Sequence, residues 1–63
     1  MQKLRDDLYS VDRDVDLAYS PDDGGWYLQL YLHDEEGNTK TSKIFNTKAE
    51  ALQEYNDGGI VWE

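Results

Sequence analysis

The sequence predicts an α+β fold: a three-stranded antiparallel sheet with one helix packed on one face, and a short fourth strand at the C-terminus, in the order βββαβ. Polar and apolar residues alternate over residues 26–33, which is the period of a half-buried strand. Over residues 49–55 the apolar residues instead recur at every third position, which indicates a helix. Asp-Gly-Gly occurs at residues 23–25 and 57–59, each time as a turn signal before a short apolar run. The 63 residues are expected to form a single small domain with a marginal core.

The N-terminal residues 1–11 are predicted to form a short helix or a flexible arm. Leu4, Leu8 and Val11 fit one helical face, but the stretch is short and charged.

The first strand is predicted over residues 13–19, and alternation assigns its side chains to two faces. The core-facing positions are Val15, Leu17 and Tyr19, and the outward positions are Asp14, Asp16 and Ala18. With Asp12 before them, the two outward aspartates form a row of carboxylates about 6.6 Å apart along the strand.

The second strand begins at Trp26 and places Trp26, Leu28, Leu30 and Leu32 on the core face. Residues 34–38 form a hairpin loop, which leads to a third strand over residues 39–45 whose buried face the pattern leaves open.

The helix is predicted to begin at a capping box over residues 47–50. In this motif the Thr47 hydroxyl accepts a hydrogen bond from the backbone near Glu50, and the Glu50 carboxylate reaches back to the backbone N–H of Thr47. Its apolar stripe is Ala49, Leu52 and Tyr55, and Gly58 ends it. Residues 60–62 form the last strand.

The charge is strongly negative, with 14 acidic against six basic side chains and a net charge of −8. Repulsion therefore argues against nucleic acid and anionic membranes as direct partners. No cysteine is present, and no uninterrupted apolar run exceeds three residues, so neither a disulfide nor a membrane span is expected. Residues 1–10 lack the apolar centre of a signal peptide, and we expect a cytoplasmic protein, in the cytosol of a bacterial host.

Neither a metal site nor a catalytic site is predicted, so we expect no enzyme and no cofactor. Asp12, Asp14 and Asp16 match the first ligand positions of an EF-hand loop, but the required Gly is Leu17 and the required Glu is Asp23. His33 is the only histidine, and it follows a strand beside an acidic loop, which is typical of an exposed residue rather than a catalytic base.

Residues 24–56, with the motif GGWYLQLYL…KIFNTKAEALQEY, resemble the sheet-plus-helix domains of the AP2-like, integrase arm-binding type. The matching residues are Trp26, Lys43, Phe45, Thr47, Lys48, Glu50 and Ala51. The resemblance implies a sheet whose open face reads DNA. Such a face needs Lys and Arg, whereas here it offers Tyr27, Gln29 and Tyr31. The resemblance thus supports the fold and argues against a DNA reader.

Two details argue that the acidic residues do more than keep the chain in solution. Asp is depleted in strands, yet it occupies alternate positions of the first one. The helix also carries Lys48 at its positive end, and Glu54 and Asp57 toward its negative end, which opposes the helix dipole. Duplex DNA presents roughly one phosphate per 3.4 Å on each strand, so an acidic row on a rigid sheet can take the place of a phosphate backbone.

Small size, acidity and a simple sheet-plus-helix body are similar in type to the acidic anti-defence proteins of phages, of the anti-CRISPR and anti-restriction kinds. We therefore predict an inhibitor that binds a basic nucleic-acid-binding protein, such as a bacterial defence nuclease complex, by imitating the charge of DNA. The predicted partner-binding residues are Asp12, Asp14, Asp16, Asp22, Asp23, Tyr27, Tyr31, Glu50, Glu54 and Asp57. The alternative is a protein-binding or homodimerising module that uses Tyr27 and Tyr31 on the open sheet face, without mimicry.

Overall fold

A computed structural model describes all residues from Met1 to Glu63. Five strands form one antiparallel sheet in the order of the sequence, and a single helix follows them. The elements are β1 (Gln2–Arg5), β2 (Leu8–Asp12), β3 (Val15–Ser20), β4 (Gly25–Tyr31), β5 (Thr39–Thr41) and α1 (Lys48–Asp57). The predicted α+β class, with an antiparallel sheet and one helix, is confirmed, but the sheet has five strands and the order is βββββα.

The N-terminal prediction of a helix or an arm over residues 1–11 is wrong, because these residues form β1, a turn at Asp6 and Asp7, and β2. β2 pairs along β3, with Leu8 opposite Ala18 and Tyr9 opposite Leu17. A register shift between Lys3 and Arg5 interrupts the pairing of β1 with β2, and another between Ser10 and Asp12 interrupts the pairing of β2 with β3. These irregularities obscure the two-residue period in the sequence.

The predicted row of aspartates in one strand is also wrong. Asp12 ends β2, Arg13 and Asp14 form a turn, and β3 begins at Val15, so Asp16 lies on a different strand from Asp12. The register shift places Asp12 opposite Val15, on the helix side of the sheet, while Asp16 points to the other side. The segment therefore forms a hairpin and not a flat row of charges.

The first predicted strand corresponds to β3, and Val15 and Leu17 are buried as expected. Two of its positions differ from the prediction. Ala18 faces the other side but is buried, because Leu8 and Tyr27 flank it from the neighbouring strands, and the core-facing Tyr19 remains 39% exposed at the margin of the sheet.

The strand predicted from Trp26 is β4, with Leu28 fully buried. The following strand is shorter than predicted, since β5 ends at Thr41. Phe45 nevertheless pairs with Trp26 in an isolated antiparallel bridge and is buried, whereas Ile44 is exposed, which settles the face that the sequence left open.

Helix α1 begins after Thr47 as predicted, because the backbone N–H of Glu50 donates to Thr47 Oγ1 at 3.1 Å. The reciprocal half of the predicted capping box, from the Thr47 N–H to the Glu50 carboxylate, does not form. The helix ends at Gly58, whose φ of 74° is the left-handed conformation that glycine adopts readily. The buried face differs by part of a turn from the prediction. Ala51 is fully buried beside half-buried Leu52 and Tyr55, whereas Ala49 is exposed.

The C-terminal residues 60–62 do not form the predicted strand. Ile60 and Trp62 pack against the core, and Val61 is 73% exposed. Glu63 then pairs with Thr41 through two backbone hydrogen bonds of 2.9 and 3.0 Å, so the last residue covers part of the β5 edge.

The core lies between the sheet and the helix, and its buried residues are Val15, Leu17, Leu28, Phe45 and Ala51. The second sheet face has no covering layer. Its side chains, which we call the open face, are Leu8, Ser10, Asp16, Ala18, Tyr27, Gln29 and Tyr31. The one helix, ten residues long, is neither long nor apolar enough to cross a bilayer.

Candidate partner-binding surface

Asp12 connects the end of β2 to the end of the helix. Its Oδ1 accepts a hydrogen bond from the Arg13 backbone N–H at 2.8 Å, and its Oδ2 accepts one from the Tyr55 hydroxyl at 2.8 Å. The Arg13 N–H, and secondly the Tyr55 hydroxyl, lower the pKa of the Asp12 carboxyl. The same contact raises the pKa of Tyr55, because the carboxylate stabilises the protonated phenol. Asp12 is therefore held as an anion in a fixed position.

Asp14 and Asp16 have partners at the end of β4. Asp14 Oδ1 lies 2.9 Å from His33 Nε2, and the Asp14 carbonyl accepts the Tyr31 N–H at 2.8 Å. Asp16 Oδ2 accepts the Tyr31 hydroxyl at 2.9 Å, and this hydrogen bond is the main cause of the raised pKa of Tyr31. No serine hydroxyl contacts His33, whose side-chain partner is Asp14.

The meander brings the β2–β3 turn and the β4–β5 loop to the same end of the sheet, as the contact between Asp14 and His33 shows. The acidic residues at this end of the sheet, which we call the acidic end, are Asp12, Asp14, Asp16, Asp34, Glu35 and Glu36. Their side chains do not share one face, because Asp12 points to the helix side and Asp16 to the open face. Arg13, in the β2–β3 turn, brings a positive charge to this end of the sheet, and its guanidinium forms no ion pair.

The loop acids Asp34, Glu35 and Glu36 are absent from the residues predicted for the site. Asp34 shapes the loop by accepting from the Asn38 backbone N–H at 3.0 Å and from Asn38 Nδ2 at 2.9 Å. These hydrogen bonds, the backbone one first, lower the pKa of Asp34. The predicted antiparallel strands already place the loop over residues 34–38 beside the start of the first strand, so the alternation of the strands was the signal that could have revealed these residues.

Of the other predicted acids, Asp22, Asp23, Glu50 and Glu54 lie away from the acidic end, whereas Asp57 follows Tyr55, the partner of Asp12, by two residues. Asp22 and Asp23 lie in the β3–β4 turn at the opposite end of the sheet, where Asp23 accepts from the Ser20 hydroxyl at 2.9 Å. Glu50 and Glu54 line a groove between the helix and Phe45. Asp57 ends the helix and accepts from Gln53 Nε2 at 3.1 Å. The predicted residues therefore occupy separate surfaces.

The predicted tyrosines do share the open face, but they differ in environment. Tyr27 is half-buried beside Ala18, which in turn lies opposite Leu8, so these side chains make a short apolar strip across β2, β3 and β4. Tyr31 is 43% exposed and connects the strip to the acidic end through Asp16. The open face thus combines apolar area with positioned negative charge.

The acidic side chains are spread along the surface, and no group of three or more metal-ligating residues converges on one point. The groove beside Phe45 continues under the C-terminal residues Ile60 and Val61, where its volume is about 300 Å³.

No family model, curated protein or solved structure matches this chain. The resemblance to arm-binding domains therefore stays a prediction.

Proposed function

We propose that this chain is a small acidic inhibitor that binds the basic surface of a nucleic-acid-binding protein through its acidic end. The observation that carries the proposal is the fixed placement of the carboxylates of Asp12, Asp14 and Asp16. Each accepts a hydrogen bond from a side chain of another part of the chain, at 2.8 or 2.9 Å.

The nature of these partners favours recognition of a cation. A phenol hydroxyl orients a carboxylate without neutralising it, so Asp12 and Asp16 keep their full negative charge. Ordering a charged side chain before binding reduces the entropy that association costs. Arg and Lys of a partner then meet carboxylates that are already in position, with further charge supplied by Glu35 and Glu36.

Extended basic surfaces are typical of proteins that bind nucleic acid. A chain with a net charge of −8 competes for such a surface by occupying it in place of phosphate groups. Because the acidic end is a hairpin and a loop, the mimicry proposed here depends on the density and placement of charge and not on a regular phosphate-like spacing. The similarity in type to anti-defence proteins makes a bacterial defence nuclease complex the first partner to test.

The experiment is capture of a candidate nuclease complex on the immobilised chain, followed by elution with duplex DNA or with salt. The test variant is Asp14→Asn with Asp16→Asn, and the matched control is Asp22→Asn with Asp23→Asn, which removes the same charge at the other end of the sheet. We expect the test variant to weaken binding at least tenfold and the control to weaken it about threefold or less, since exposed charges far from the contact act mainly through steering. Equal losses in both variants, or capture that DNA fails to reverse, would contradict the proposal.

The uncovered open face favours a second candidate, a protein-binding or homodimerising module without mimicry. Its apolar strip of Leu8, Ala18 and Tyr27 has no covering layer. Binding through this strip depends weakly on salt and does not compete with DNA. Tyr27→Ala then abolishes binding or self-association, measured by sedimentation velocity, while the Asp14/Asp16 variant retains it.

A further inference from the structure

Lys48 occupies an unusual environment that the proposed function does not explain. It is the first residue of helix α1, where the helix dipole disfavours a positive charge. Although the chain has 14 acidic residues, the Lys48 ammonium forms no ion pair with any of them. Its Nζ lies instead 4.5 Å from the centre of the Tyr9 ring and 5.4 Å from that of Trp26, and donates to Tyr9 Oη at 3.0 Å.

Tyr9 of β2 and Trp26 of β4 contact the Lys48 ammonium, and Tyr19 of β3 packs against Trp26; we call these three rings the aromatic site. Trp26 is central, because its ring centre lies 6.0 Å from that of Tyr9 and 5.3 Å from that of Tyr19. The Tyr19 ring meets Trp26 edge-on at 62° and remains 39% exposed. The rings are therefore held by the sheet, and Tyr19 is the most exposed of the three.

The chemistry of the aromatic site selects the kind of cation that it binds. Ring faces attract a cation through their quadrupoles, and Tyr9 Oη is the hydrogen-bond acceptor that Lys48 uses here. A primary ammonium is strongly hydrated and needs several acceptors on leaving water, whereas a quaternary, fully N-methylated ammonium has no N–H and needs none. A site rich in ring faces and poor in acceptors thus favours the methylated cation.

We propose that the aromatic site binds quaternary ammonium cations, such as trimethylated lysine or choline, and that Lys48 Nζ is its internal occupant. Lys48 is half-buried on a flexible side chain, so it is able to swing into solvent when another cation arrives. A tethered occupant competes at an effective concentration on the order of millimolar, which makes the apparent affinity of the wild type weaker than that of a chain without the ammonium. This inference does not depend on the acidic end.

The test is an NMR titration with tetramethylammonium chloride, with sodium chloride at equal ionic strength as the control. The variant Lys48→Gln removes the internal cation, and Trp62→Phe identifies the Trp26 indole N–H signal. We expect a saturable shift of that signal with tetramethylammonium alone, at least tenfold tighter in Lys48→Gln than in the wild type. Tyr19→Ala is expected to weaken binding, while Tyr31→Ala, a similarly exposed tyrosine on the open face, leaves it unchanged.

A second NMR measurement uses the wild type, so its result does not depend on whether the variant folds. The Lys48 ε-methylene protons are expected to carry ring-current shifts that move toward ordinary lysine values as tetramethylammonium is added. Absence of this movement, or a Trp26 response equal to that with sodium, would overturn the proposal. Parallel titrations with Nε-trimethyllysine and with choline distinguish a protein source of the cation from a free one.

Discussion

At the residue scale, each aspartate of the segment 12–16 accepts a hydrogen bond from an aromatic side chain elsewhere in the fold. Tyr55 binds Asp12, His33 binds Asp14 and Tyr31 binds Asp16. These contacts explain why a hairpin carries Asp at positions where a strand former would otherwise stand, since the short carboxylate both caps local N–H groups and orients a neighbouring ring. The placement of these side chains, and not their number alone, gives the acidic end its proposed role.

These contacts predict how the free energy of unfolding depends on pH. The Tyr55 pKa is raised in the folded chain, so the stabilisation is complete below its ordinary value of 10.0 and is lost as pH rises beyond it. The Asp12 pKa is lowered, so its stabilisation is present above 3.8 and is lost as pH falls below that value. Tyr55→Phe is therefore expected to reduce the loss of stability in alkali, measured by urea unfolding across the pH range.

Tyr19→Phe is the matched control, because the Tyr19 hydroxyl makes no side-chain hydrogen bond and its removal should leave the alkaline loss as in the wild type. Asp12 keeps its hydrogen bond from the Arg13 N–H, the main cause of its shift, so the acid loss should change less than the alkaline loss. Identical alkaline profiles for Tyr55→Phe and the wild type would show that this contact is not formed.

At the scale of elements, β4 and α1 were predicted because their local sequence signals are strong, whereas β1 and β2 were not predicted because theirs are weak. β4 alternates without interruption, and the helix has both a Thr cap and a left-handed glycine at its end. β1 and β2 are short and interrupted by register shifts, so the pairing of β1 with β2, and of β2 with β3, stabilises them more than their own composition does. The acidic residues that the prediction missed lie in the loop that follows β4.

The start of the helix provides a test at this scale. Thr47→Ala removes the acceptor of the Glu50 N–H and is expected to cost about 0.5–2 kcal/mol of the free energy of unfolding. Thr47→Ser keeps the hydroxyl and should lie close to the wild type. Thermal and denaturant unfolding of both variants measure the difference. A Ser variant as unstable as the Ala variant would mean that packing of the Thr methyl group, and not the cap, stabilises this end.

At the scale of the whole molecule, negative charge gathers at the ends of the sheet. The acidic end lies at one end of the sheet, and Asp22 and Asp23 of the β3–β4 turn lie at the other. The ammonium of Lys48 lies beside aromatic rings on the helix side. Self-repulsion of this kind opposes compaction of a small body with a net charge of −8. The proposed basic partner would relieve this repulsion, and its binding would then stabilise the folded chain.

Salt is therefore expected to stabilise the free chain. Raising the ionic strength from about 0.01 M to 0.15 M shortens the Debye length from about 30 Å to about 8 Å and screens the repulsion, so the melting temperature should rise. Glu35→Gln with Glu36→Gln removes charge at the acidic end and should reduce this rise, whereas Lys40→Gln with Lys43→Gln should increase it. A melting temperature that falls with salt would indicate that favourable ion pairs outweigh the repulsion.

The sequence by itself determined the charge, the fold class and the elements whose signals are local. The alternation of β4 and the caps of α1 each depend on a few consecutive residues, so the sequence reveals them directly. Only the tertiary structure decided which residues meet, because strand pairing and turn position are non-local. Placing the turn at Arg13 and Asp14 moved Asp12 and Asp16 to opposite sides of the sheet. The placement of Asp34, Glu35 and Glu36 at the acidic end was already implied by the predicted antiparallel strands, but the contact of Asp14 with His33 depends on where the β2–β3 turn lies, which is non-local.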